Sequence, residues 1–178
     1  MSGTGEKLLK ICVVTSYSAA SEPRAPRHAV AVKRAFPDSE VIFVDLIPAS
    51  VPRVPDPPLL AEAGIVRLSI EFPTKASDFP RLLFRKICAK ADRLAFFLTR
   101  RVAEGVFGDR VLGLTRVLKD ISADVYIAHN IDTLLPAFSA AKVGAKVVFD
   151  CMEYYSDMGD SQSTIEVRAT KMLEQQLL

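Results

Sequence analysis

Residues 123–157, ADVYIAHNIDTLLPAFSAAKVGAKVVFDCMEYYSD, constrain the fold more tightly than any other part of the chain. Residues 125–128 form a short apolar run, as expected of a strand buried on both faces. The polar turn His129-Asn130-Ile131-Asp132 follows, then a helical pattern over 133–142 closed by Gly144, then a second apolar run over 146–150. Two buried strands joined by one helix lie parallel in the same sheet, with a right-handed crossover. Both polar turns, 129–132 and 150–157, therefore reach the same sheet edge, beyond the carboxyl ends of the strands, where open α/β sheets bind ligands. Asp132 is placed to cap the intervening helix.

The rest of the chain extends this pattern. Residues 10–15 (KICVVT) and 40–45 (EVIFVD) read as buried strands, and 64–70 (GIVRLSI) alternates enough to be a third, at an edge. A helix is predicted from Pro26, which suits a first turn, through Phe36, before Pro37 and Asp38 break it. Residues 47–58 hold five prolines and read as irregular. From Asp78 to about Lys119 the period becomes helical, interrupted near Gly105 and Gly108. Its apolar face is Phe84, Cys88, Ala91, Ala95, Leu98 and Val102, widened by Leu83, Ile87 and Leu94. An amphipathic helix from about Thr164 to Leu178 closes the chain, its apolar face including Ile165, Met172, Leu173 and Leu177. The expected fold is a Rossmann-like α/β domain over residues 1–178, a doubly wound and mostly parallel sheet.

Several function classes are disfavoured. The loop after the first strand, SYSAASEPRAPRH, has no glycine, whereas a dinucleotide site there needs GxGxxG for close backbone approach to a pyrophosphate. No cofactor is expected. A flavodoxin-like small-molecule binder would lack its phosphate loops. His28 and His129 are the only histidines and Cys12, Cys88 and Cys151 have no ligand spacing, so no metal is expected. Scattered thiols, no signal-peptide pattern and no apolar run near 20 residues point to a cytoplasmic location. The net charge of +2 and the lack of a recognition motif give no reason to expect nucleic acid.

Three clusters remain. Arg24, Arg27 and His28 sit beside a helix N-terminus, a setting for an anionic group, or are solvated loop cations. His129 either projects into the cleft as an acid, base or donor to a sugar hydroxyl, or bonds a neighbouring carbonyl; Asn130 and Asp132 accompany it. In the second turn, Glu153 either binds sugar hydroxyls and orients a base or contacts a backbone N–H, and Tyr154 either stacks on a ring or joins the core. Separately, Lys86, Lys90, Arg93 and Arg100 share a helical face with Phe97. That pattern belongs either to a helix seated on an anionic bilayer or to an ordinary solvated face.

Three segments together resemble the N-terminal domain of the GT-B glycosyltransferases, specifically the retaining enzymes of family 4. They are SEPRAPRHAVAVKRAFPDSEVIFVDL, ADVYIAHNIDTLLPAFSAAKVGAKVVFD, and DCMEYYSD with the later EVRATKMLEQQLL. The resemblance implies a hexosyltransferase whose acceptor half this is, with His129 and Glu153 as catalytic cleft residues and Arg24, Arg27, Asn130, Asp132 and Tyr154 contacting substrate. It implies a nucleotide-sugar donor held by a C-terminal domain that this chain lacks, and a lipid-linked or surface glycan as acceptor. The isolated chain is then expected to be inactive. It would sit in the cytoplasm on the inner face of the membrane, and need no metal. Two residues depart from the family pattern: Asn130 stands where Asp is usual, and Met152 where His is usual. The competing reading from another class is a non-catalytic module or partner subunit at a membrane surface.

Overall fold

The computed structural model describes residues 8–48, 58–72, 79–151 and 164–177. Five strands, β1 (Lys10–Thr15), β2 (Glu40–Pro48), β3 (Val66–Phe72), β4 (Val125–His129) and β5 (Lys146–Asp150), form one parallel sheet in the order β3-β2-β1-β4-β5. The helices are α1 (Arg24–Ala35), α2 (Pro58–Glu62), α3 (Phe79–Thr99), α4 (Asp109–Asp120), α5 (Ile131–Ala140) and α6 (Thr164–Leu177), with a 3-10 turn at Glu104–Phe107. The sheet is the expected doubly wound, Rossmann-like α/β arrangement. From β1 the chain winds outward through β2 to β3, then returns to β4 on the other side of β1.

The two-residue period of the strands divides the core. Ile11, Val13, Val41, Phe43 and Ile127 pack with Ala25 and Ala29 of α1 and Leu60 of α2. Cys12, Val14, Val44, Tyr126 and Ala128 face the other way, onto Leu114 and Leu118 of α4 and Leu134 and Ala137 of α5. The Tyr126 hydroxyl donates to the carbonyl of Ile121 at 2.5 Å, so this buried phenol is satisfied.

Five expectations are corrected. β2 runs on to Pro48, β3 is shifted to Val66–Phe72, and a short helix begins at Pro58. Helix α1 begins two residues early, at Arg24. On α3 the inner stripe is Ala89 and Phe96 with polar Asp92 and Arg93, while much of the apolar face turns outward. Leu83, Phe84, Ile87, Leu94 and Leu98 are exposed, Leu98 by 72%. The reason is polar bonding inside: Asp92 Oδ2 accepts the Gly105 N–H at 3.0 Å, and Arg93 Nε donates to the Val106 carbonyl at 3.3 Å. The apolar face of α6 is instead consumed within the chain. Leu173 and Ala169 are buried, and Ile165 and Met172 pack against Phe96 and Val106.

Candidate functional site at the strand-order reversal

The strand order reverses between β1 and β4, and the crevice beyond their carboxyl ends is the ligand position of this architecture. Register places Thr15 of β1, His129 of β4 and Asp150 of β5 side by side in one row. By strand parity His129 shares its face with Ile127, which packs toward α1. Helix α1 brings His28 to meet it. His28 Nδ1 lies 3.1 Å from His129 Nε2, with the rings edge to face. Asp150 Oδ2 is 3.0 Å from His129 Nδ1, 3.6 Å from His28 Nδ1 and 3.4 Å from Arg24 Nη2. Two histidines 101 residues apart thus converge on one carboxylate. Each of the three offers a ligand atom, and these atoms lie within 4.8 Å of one another.

A second network ties the β1–α1 loop to the β4–α5 turn. Glu22 Oε2 accepts from Thr15 Oγ1 at 2.5 Å and from Asn130 Nδ2 at 3.0 Å. Asn130 has φ 74° and ψ 144°, a positive-φ conformation outside the left-handed helical well, so the backbone is strained at this turn. The amide also explains why an Asp is unsuited here: it would set a second carboxylate against Glu22. Asn130, and not Asp132, occupies the cap position of α5, without a side-chain cap bond. Asp132 sits in the first turn, where a negative charge still meets the positive helix end. The loop is further anchored by Asp45, which is fully buried and accepts from the Ala19 N–H at 2.8 Å, Ser69 Oγ at 2.7 Å and Arg67 Nη2 at 2.6 Å.

Charge in the crevice is set by burial. His129 is wholly inaccessible, and desolvation pulls its pKa down to about 4 against the opposing pull of Asp150. It is a neutral imidazole at pH 7. Burial also pushes the Asp132 carboxyl up, countered by the charge of Arg110 at 3.6 Å. Among the described residues, buried side-chain atoms without a hydrogen-bond partner concentrate here: Ser16 Oγ, Arg24 Nε and Nη2, His129 Nδ1 and Asp132 Oδ1. Only Thr170 Oγ1 lies elsewhere. Native cores leave few such groups, so their concentration in one crevice singles it out as the candidate site.

Of the residues singled out from sequence, Arg24, His129, Asn130 and Asp132 come together. Arg27 is exposed on α1, and Glu153 and Tyr154 lie outside the described residues. His129 is beneath the surface, so the groups with solvent access are His28, Arg24 and Asp150. Sequence reading passed over Glu22, Asp45 and Asp150 as site residues; the position of Asp150 at the end of β5 was the available signal. Lys86, Lys90, Phe97 and Arg100 are exposed as expected, whereas Arg93 is engaged with Glu166 at 2.5 Å and is not a free surface cation. No described helix is long and apolar enough to cross a membrane.

The fold is that of a doubly wound α/β protein, with a polar crevice at its switch point. No protein-family model matches the chain, and no curated protein matches its sequence.

Proposed function

We propose that this chain is the acceptor-binding part of a retaining glycosyltransferase that moves a sugar from a nucleotide-sugar to a lipid-linked or surface glycan. The observation that carries the reading is the cluster of buried polar atoms in the crevice that make no hydrogen bond, beside a loop with no glycine cradle for a dinucleotide. Such a site suits hydroxyls and a single anionic group more than a pyrophosphate. Arg24 would meet the anionic part of an acceptor and His28 a hydroxyl. His129, inaccessible itself, would act as a positioning residue by holding His28 and Asp150. The nucleotide-sugar would be held by a second domain, since transfer requires donor and acceptor to be fixed together.

The exposed stripe on α3 supports a place on the cytoplasmic face of a membrane. Phe79, Leu83, Phe84, Ile87, Leu94, Phe97 and Leu98 are all exposed along one 21-residue helix, with Lys86 and Lys90 on its flank. An apolar stripe with a cationic edge fits an anionic bilayer surface. That same stripe favours the second reading, a membrane-surface module without catalysis. The two are separated by assaying transfer of labelled sugar from a panel of nucleotide-sugars to a membrane lipid extract. The assay uses the chain together with a donor-binding domain. Transfer that falls by about 100-fold or more in His28→Ala supports the enzyme reading. Liposome binding without transfer supports the module.

A further inference from the structure

The geometry points to a divalent transition-metal site formed by His28, His129 and Asp150, at the mouth of the crevice. It does not rest on the glycosyltransferase reading, because the three side chains are assembled whether or not sugar is transferred.

Zinc–nitrogen and zinc–oxygen bonds near 2.1 Å at a tetrahedral centre place ligand atoms about 3.3 Å apart. His129 can offer an ion only one of its two ring nitrogens: Nδ1 lies 3.0 Å from Asp150 Oδ2, His28 Nδ1 lies 3.6 Å from the same oxygen, and one ligand atom from each of the three residues falls within 4.8 Å of the others, so modest side-chain shifts would bring them onto one ion. The pair His129 and Asp150 is the informative one. At 3.0 Å the two atoms are close enough for a hydrogen bond, yet Nδ1 has no hydrogen-bond partner. They lie side by side instead of in line, as two atoms do when both face a common third partner. His129 is completely buried, so water does not satisfy that lone nitrogen from bulk solvent.

Two imidazoles and one carboxylate suit Zn²⁺, Co²⁺, Ni²⁺ or Fe²⁺ and not Mg²⁺ or Ca²⁺, which take oxygen ligands. Three protein ligands leave at least one position open. The His28 and Asp150 side chains are 35% and 27% exposed, and that side faces solvent. An open position is the mark of a site that binds a substrate or water oxygen, in contrast to a closed structural centre. Arg24, 3.4 Å from Asp150 Oδ2 and not hydrogen-bonded to it, holds the carboxylate by charge alone and leaves its lone pairs available.

The test is titration of tag-free, chelator-treated protein with Co²⁺, read by visible absorption, and with Zn²⁺, read by calorimetry. The expected result is one equivalent of Co²⁺ with the intense visible bands of four- or five-coordinate geometry, displaced by Zn²⁺. His28→Ala and Asp150→Asn, both at partly exposed positions, should keep the wild-type circular dichroism and each weaken binding by about 100-fold or more. Absence of a Co²⁺ spectrum and of Zn²⁺ heat would overturn the proposal. So would binding of equal strength in both variants, which would place the metal elsewhere, for instance on the cysteines.

Discussion

Neutralising the titration of His129 should flatten the acid side of the stability profile. The folded chain holds this imidazole at a pKa of about 4 because burial disfavours its charged form, against 6.5 in the unfolded chain. Between these values the unfolded state binds a proton that the folded state refuses, so stability falls as pH drops through 6.5 and the loss levels off near 4. Working the linkage through gives about 2 kcal/mol lost at pH 5 relative to pH 7.5, rising to about 3 kcal/mol near pH 4. Carboxylates add their own losses below pH 5, so the useful window is pH 5 to 7.5. Urea denaturation followed by circular dichroism, with chelator present, should show that loss in the wild type. In His129→Gln, which fills similar space but does not titrate, most of it should be absent. Identical pH dependence in the two proteins would refute the argument and mean that His129 is not the buried neutral group described here.

Two further outcomes are expected. Asp45→Ala leaves the buried Arg67 guanidinium without its carboxylate and releases the Ala19 N–H; it should cost about 3–5 kcal/mol in urea denaturation at pH 7. A loss under 1 kcal/mol would show that the pair is solvated. Neutralising Lys86 and Lys90 to Gln should weaken sedimentation with phosphatidylserine-containing liposomes by roughly 30-fold at physiological salt, at about 1 kcal/mol per basic residue. Unchanged binding would remove the electrostatic part of the membrane proposal.

How far the sequence could be read followed from where each element is buried. Strand β1 coincides with the apolar run that predicted it and β4 differs only in including His129, because buried parallel strands carry near-continuous apolar sequence; β5 also has the predicted bounds, but it lies at the sheet edge and is only partly buried, not the buried strand its apolar run suggested. Helix α3 was legible as a helix but not in its orientation. Apolar residues cover most of its circumference, and the side that packs inward does so partly through Asp92 and Arg93, whose partners at Gly105, Val106 and Glu166 are remote in sequence. The crevice was legible as a location, from two polar turns at one sheet edge. Its internal pairing was not: the meeting of His28 with His129 depends on how α1 lies across the sheet, which no local pattern encodes. The role of Asn130 likewise emerges only once Glu22 is seen beside it.

The central claim is that this crevice engages the acceptor, and hydrogen exchange of the chain with and without a lipid-linked glycan extract tests it most directly. The account predicts added protection of the β1–α1 loop and first turn of α1, residues 15–28, and of the β4–α5 turn, residues 128–133. Protection confined to α3, with the crevice unchanged, would contradict it and leave a protein that meets the membrane without binding a sugar acceptor.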